Sequence, residues 1–135
     1  MSRKVARELA CELVFEYLFN KKKNDLTKQS LVEENKLIKA DEQFVSFLTD
    51  GVVENFAELE GKIKDNIRDF SFSQLVKMDE AILLVATFEL LHSDLDEAVI
   101  INEALNVAKK FSTEKSASFI NGVLSSIIRG ENAGK

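Results

Sequence analysis

Ser71-Phe72-Ser73-Gln74, followed shortly by Asp79-Glu80-Ala81-Ile82-Leu83-Leu84-Val85-Ala86, is the stretch on which the fold turns. Ser71 with Gln74 three residues later makes a capping box, the reciprocal side-chain pairing that starts a helix. The run from Ala81 to Ala86 is apolar almost all the way round a helical wheel, so this helix is expected to be buried on every side. A chain with no proline and five glycines lacks the usual punctuation of β-turns, which leaves helical periodicity as the main signal. The fold class read from this is all-α, with the 81–86 helix at its centre.

Toward the N-terminus, Leu59, Ile63 and Ile67 extend a helical pattern to about Arg68. Asp41 reads as the cap of a longer helix with Phe44, Phe47, Leu48, Val52 and Phe56 on its apolar side. A short helix is expected near Leu26 to Glu34, after a charged loop near Asn20 to Asp25. Val5, Ala6, Leu9, Leu13 and Tyr17 give a first helix from about Arg3 to Phe19.

Toward the C-terminus, Ile101, Leu105 and Ala108 recur at i, i+4 and i+7 on one stripe. Ser112 and Thr113 can cap the next helix, whose Phe119, Val123 and Ile127 stack with Ile120 and Leu124 beside them. Lys109, Lys110 and Lys115 therefore crowd around one helix–helix corner. Gly122 costs a helix about 1 kcal/mol relative to alanine, which suggests close approach of another backbone or of a ligand there, tight helix packing being the plain version.

Charge is divided along the chain. Residues 1–23 hold six Lys/Arg against three Asp/Glu and residues 99–135 five against three, whereas residues 24–69 hold six against eleven and 70–98 one against six. Basic ends and an acidic middle suit one face that attracts phosphates and another that suits a basic partner, or simply an unevenly shared solvated surface. With 135 residues the chain suits one domain, 1–135, and no apolar run approaches the roughly 20 residues of a membrane span. The N-terminus lacks a signal core, and the lone Cys11 cannot form an internal disulfide, so the cytoplasm is the expected compartment.

Catalysis finds no support in the residue types. His92 stands alone on an expected helix end beside Ser93, Cys11 has no nearby histidine, and no metal quartet or Gly-rich phosphate loop occurs. Glu33-Glu34 and Asp79-Glu80 are adjacent in sequence and diverge by about 100° on a helix, which prevents a converging acid–base pair. No enzyme activity and no cofactor are expected.

Ile101-Asn102-Glu103-Ala104, Ala108-Lys109-Lys110-Phe111 and Phe119-Ile120-Asn121-Gly122-Val123-Leu124 together resemble the C-terminal signature of the NusB family of bacterial transcription antitermination factors. Ala6-Arg7-Glu8, Gly51-Val52, Leu59 with Ile63, and Asp79 with Ile82-Leu83 and Phe88-Glu89-Leu90 match in the same order, so the resemblance spans almost the whole chain. It implies a helical fold of about six to seven helices in two packed subdomains. It also implies binding of the boxA element of ribosomal RNA leaders, as single-stranded RNA, together with the ribosomal protein NusE, and thereby an indirect action on transcribing RNA polymerase.

Carried over by position, the RNA face uses Arg3, Lys4, Arg7 and Phe15 from the first helix and Lys110, Ser116, Phe119 and Asn121 from the last two, with Lys115 joining at the corner. Asp79, Glu80 and Glu89 would face the basic partner. Asn102 and Glu103 are read as structural. The chain departs from the family in having fewer N-terminal arginines and in placing Leu84 where arginine is common. Fewer cations mean fewer phosphate contacts, hence weaker RNA binding by the chain alone. Two other readings stay open: a helical interaction protein or homodimer with this fold and no RNA function, and the RNA-binding part of a ribosomal RNA cytosine methyltransferase whose catalytic domain would lie elsewhere. Phe119 and Phe15 also fit a core, and Asp79 and Glu80 fit ordinary first-turn acids.

Overall fold

In the computed structural model, residues 3–67 and 75–133 are described, and among them lie seven helices and no strand: α1 (Arg3–Asn20), α2 (Asp25–Glu34), α3 (Lys39–Glu54), α4 (Phe56–Lys64), α5 (Lys77–His92), α6 (Glu97–Phe111) and α7 (Glu114–Ala133). Helix α5 is the hub. It packs on α1, α3, α4, α6 and α7, and every residue from Asp79 to Glu89 is buried. The main core joins Val14 and Leu18 of α1, Leu48 and Val52 of α3 and Leu59 and Ile63 of α4 to Ile82, Leu83 and Leu84 of α5, and runs on into Ile100 of α6 and Ile120 and Leu124 of α7. A smaller cluster, Ala6, Leu9, Leu13 and Val45, lies between α1 and α3, with Leu31 of α2 packed against it. The expected buried centre is thus where the 81–86 run placed it.

Helix ends follow from local chemistry. α1 stops because Lys21 takes a left-handed conformation at φ 60°, where its N–H still reaches the Tyr17 carbonyl at 2.8 Å. The Asn24 side chain then accepts the Thr27 N–H at 3.1 Å and starts α2.

Three expected boundaries move. α3 begins at Lys39 with Ile38 in the cap position, so Asp41 is a buried first-turn acid favoured by the helix dipole rather than the cap. The expected continuous pattern through Phe56 breaks at Asn55, whose amide side chain donates to the Gly51 carbonyl at 2.8 Å and competes with the helical ladder. α4 then ends at Lys64, where the Asn66 side chain donates to the Lys62 carbonyl at 2.7 Å, short of the expected end near Arg68. The Ser71–Gln74 capping box and Arg68 itself lie outside the described residues.

Gly51 has a packing reason. A Cβ built there would lie 2.1 Å from Phe88 Cζ, so the absent methyl lets the Phe88 ring enter between α3 and α5. Gly122 is different: it is exposed, and a Cβ there meets nothing within 4 Å, so tight helix packing does not explain it. Gly51→Ala is expected to destabilise the fold by about 1–3 kcal/mol, read as a lowered denaturant midpoint at unchanged slope. Adding Phe88→Leu should recover part of the loss, because the two changes share one contact.

Candidate nucleic-acid interface

The α6–α7 corner is built around one carboxylate. Asp79, in the first turn of α5, accepts a hydrogen bond from the Ser112 hydroxyl at Oδ1 and from the Ser116 hydroxyl at Oδ2, each at 2.9 Å. The two hydroxyl oxygens are themselves 2.9 Å apart. Thr113 caps α7 as expected, its Oγ1 accepting the Ser116 N–H at 3.0 Å. Between these anchors Lys115 is exposed, and Phe119, one turn on, is half-buried. Leu75, Val76, Asp79, Lys115, Ser116 and Phe119 line a groove of about 460 Å³ at this corner. A groove of this size, lined by apolar side chains together with a cation, hydroxyls and the buried Asp79 carboxylate, can take a flat polar ring.

The basic flank continues along α6 and α1. Lys110 Nζ lies 2.8 Å from Glu8 Oε1 and 5.4 Å from the centre of the Phe111 ring, while its side chain remains mostly exposed. Lys4 is one helical turn from Glu8 and therefore on the same side of α1, so Lys4 and Lys110 share a flank. Arg3 is exposed but turned toward α3, its guanidinium 4.1 Å from the Phe44 ring centre. Phe15 is half-buried and meets Phe19 edge to face at 5.1 Å; Phe19 is 59% exposed. Asn121 is exposed, yet about 200° of helical rotation separates it from Phe119, so the two do not converge on one groove.

Four expected surface residues lie inside the protein. Arg7, expected on the RNA face, is 6% exposed and forms a two-pronged pair with Glu89, Nε to Oε1 and Nη2 to Oε2 both at 2.9 Å, with Glu103 Oε1 3.9 Å from Nη1. Burial by itself lowers the Arg7 pKa, but the hydrogen bond and charge of Glu89 outweigh it and hold the guanidinium above its ordinary value. Glu89, expected to face a partner, is thereby spent on Arg7 at 2% exposure.

Asp79 and Glu80 are buried too, at 5% and 3% exposure, and present no acidic face. Burial pushes the Glu80 carboxyl up, against the pull of Lys77 at 3.5 Å. Leu84 is fully buried, so an arginine missing from that position takes no cation from this surface. Burial, with the charge of Glu89 adding to it, raises the Cys11 thiol, and His92 lies 2.9 Å from Glu58 on the surface; neither is placed for catalysis.

Sequence reading missed Val76, Ser112 and Phe19. The Asp79–Ser112 contact spans 33 residues and leaves no local trace. Phe19 had a signal: it is one turn beyond Phe15 on the same side of α1.

The NusB family model matches residues 4–129. The transcription antitermination protein NusB of Staphylococcus haemolyticus is 43% identical over 132 residues, covering 94% of this chain and 99% of that protein. The chain belongs to the NusB family. That family is one of transcription antitermination factors, not of enzymes. Among solved structures, T. maritima NusB matches with a TM-score of 0.83 at 27% identity, covering 96% of this chain and 92% of that one. A chain from the crystal structure of antitermination factors NusB and NusE in complex with dsRNA matches with a TM-score of 0.84 at 24% identity, covering 95% and 96%, a likeness of fold.

Two outcomes separate the buried charges from surface ones. Arg7→Met should cost about 3–5 kcal/mol of folding stability by leaving Glu89 buried and unpaired, whereas Arg7→Met with Glu89→Leu should cost far less; urea unfolding of both variants checks this. For Glu80, the folded-state pKa is raised, so its ionised form is disfavoured by folding. The stability this group contributes is present below its unfolded pKa and lost as pH rises through the folded value. Glu80→Gln should therefore gain stability over the parent at neutral pH, and the gain should vanish toward pH ~4, as thermal melts at several pH values would show.

Proposed function

We propose that this NusB-family protein is a cytoplasmic antitermination factor that binds boxA single-stranded RNA of ribosomal RNA leaders together with the ribosomal protein NusE, and acts through that complex on transcribing RNA polymerase. The observation that carries the reading is the corner groove: an exposed lysine, a serine hydroxyl and a half-buried aromatic ring around an opening of about 460 Å³. Unstacked bases of single-stranded RNA offer flat faces to aromatic rings and polar edges to hydroxyls, while lysines hold the phosphates between them. Lys4 and Lys110 extend the same basic flank, and the Phe15–Phe19 pair adds exposed aromatic surface on α1. Arg3, turned toward the Phe44 ring, and Asn121, on the other side of α7 from Phe119, stand outside this surface. Arg7 acts from within, by fixing α1 on α5 and α6, and Glu89 is its counter-charge. No helix of the described residues is long and apolar enough to cross a membrane.

Titration of boxA RNA and of a scrambled RNA, with and without NusE and at several salt concentrations, tests this. Tighter binding of boxA, strengthened by NusE and weakened by salt, is expected; equal affinity for both RNAs, or none for either, overturns it. Within that assay Phe119→Ala should cost about 1–3 kcal/mol of RNA binding. Its melting temperature should fall only modestly, since Ile120, Val123 and Leu124 carry the α7 side of the core. Lys115→Ala should reduce the salt slope by about 0.7, the share of one phosphate on a single strand.

A further inference from the structure

We infer that Asp79 is a positioning residue for RNA: it does not meet a partner, but sets the angle between α6 and α7 and so aims Lys115 and Phe119. The inference rests on the reading that this corner contacts RNA. Asp79 is 5% exposed, and both of its oxygens are taken by hydroxyls that stand at the two sides of the corner, Ser112 at the end of α6 and Ser116 in the first turn of α7. One side chain thus ties together three helices. An ionised carboxylate is an acceptor with no proton of its own, which is what two converging hydroxyl donors require.

The consequence for the groove is geometric. Lys115 directly precedes Ser116, and Phe119 follows it by three residues on the same side of α7, so both move with the Ser116 anchor. Electrostatics by itself would argue against an acid here, since a negative charge lining a site for a polyanion repels it. The two roles predict opposite signs when Asp79 is removed. A repelling charge, once deleted, leaves RNA bound more tightly; a lost anchor leaves it bound more weakly.

The test measures boxA RNA affinity by fluorescence anisotropy for the full chain and for Asp79→Ala, Asp79→Asn, Ser116→Ala and the Ser112→Ala/Ser116→Ala double variant, with the binding-competent fraction of each set by stoichiometric titration. Asp79→Ala is expected to weaken binding about tenfold per competent molecule and to flatten the salt slope as Lys115 loses its aim. The double serine variant should match it, and combining the two should add nothing, because they break one network. Asp79→Asn should stay within about threefold of the parent, its amide accepting from one serine and donating to the other.

A purely structural role would lower the competent fraction and leave the affinity and salt slope of the remainder unchanged, which overturns the inference. Affinity that rises or holds steady in Asp79→Ala overturns it as well. If Asp79→Ala does not fold, Ser112→Ala carries the same comparison, since it breaks one of the two anchors and leaves the Lys115, Ser116 and Phe119 side chains unaltered: weaker binding supports the inference, and steady or tighter binding overturns it. A parent chain that ignores boxA RNA overturns the functional reading itself, and the inference with it, whereas a parent that binds beside insensitive variants overturns the inference alone.

Discussion

The Arg7–Glu89 pair is the constraint around which the rest is arranged. It joins α1 to α5 inside the core, and Glu103 brings in α6 from the other side. Taking two charges out of water is costly, and the pair is tolerated because its geometry is good: two parallel hydrogen bonds at 2.9 Å use the planar fork of the guanidinium on both carboxylate oxygens. Such a pair adds little net stability over a well-packed apolar one. It does penalise any slip of α1 along α5, since a shift of one residue would bury both charges without partners. The register of the surface residues on α1, Lys4 and Phe15 among them, is inherited from that pair.

α5 applies the same logic along its length. Its middle is apolar, while buried polar groups toward its ends reach other helices, Asp79 to the serines of α6 and α7 and Glu89 to Arg7 of α1; Glu80 pairs only with Lys77 of α5 itself. Each end of the central helix is therefore bound directionally to neighbours that carry the candidate interface, and only the centre relies on non-directional burial. The Thr87 hydroxyl is the exception, buried with no hydrogen-bond partner among the described residues.

The fold was largely legible in the sequence because periodicity reports burial directly. The 81–86 run, the stripe of α7 and the first helix lie where their apolar spacing puts them, whereas α6 is turned by about one residue: it buries Ile100, Ala104 and Val107 beside Ala108 and leaves Ile101 and Leu105 of the expected stripe half-buried. Boundaries set by single polar side chains, such as the break at Asn55, were not legible, since an asparagine that bonds back to its own helix looks in sequence like any surface residue. The site was legible in part. Lys110, Lys115, Ser116 and Phe119 do gather at or beside one corner, as their closeness along the chain suggests. Arg7, Asp79 and Glu89 were misplaced for one reason, that a charged residue reads as exposed until its distant partner is known, while Glu80, paired with Lys77 only three residues away, was misplaced because the buried setting of α5 could not be read at its first turn. Those partners lie up to 82 residues away for Arg7 and 37 for Asp79.

Cys11 gives the seam between α1 and α5 a built-in clock. The residue is 2% exposed, lies beside Arg7 and Glu89, and its thiol is held protonated by burial. Thiols react through the thiolate, so in the closed protein this one is silent toward alkylating reagents. Any reaction that occurs passes through molecules in which α1 has lifted away, and in the regime of fast reclosing its rate divided by that of a free thiol gives the equilibrium population of the open form. A chain with one cysteine thus reports the free energy of its own central crossing without an added label.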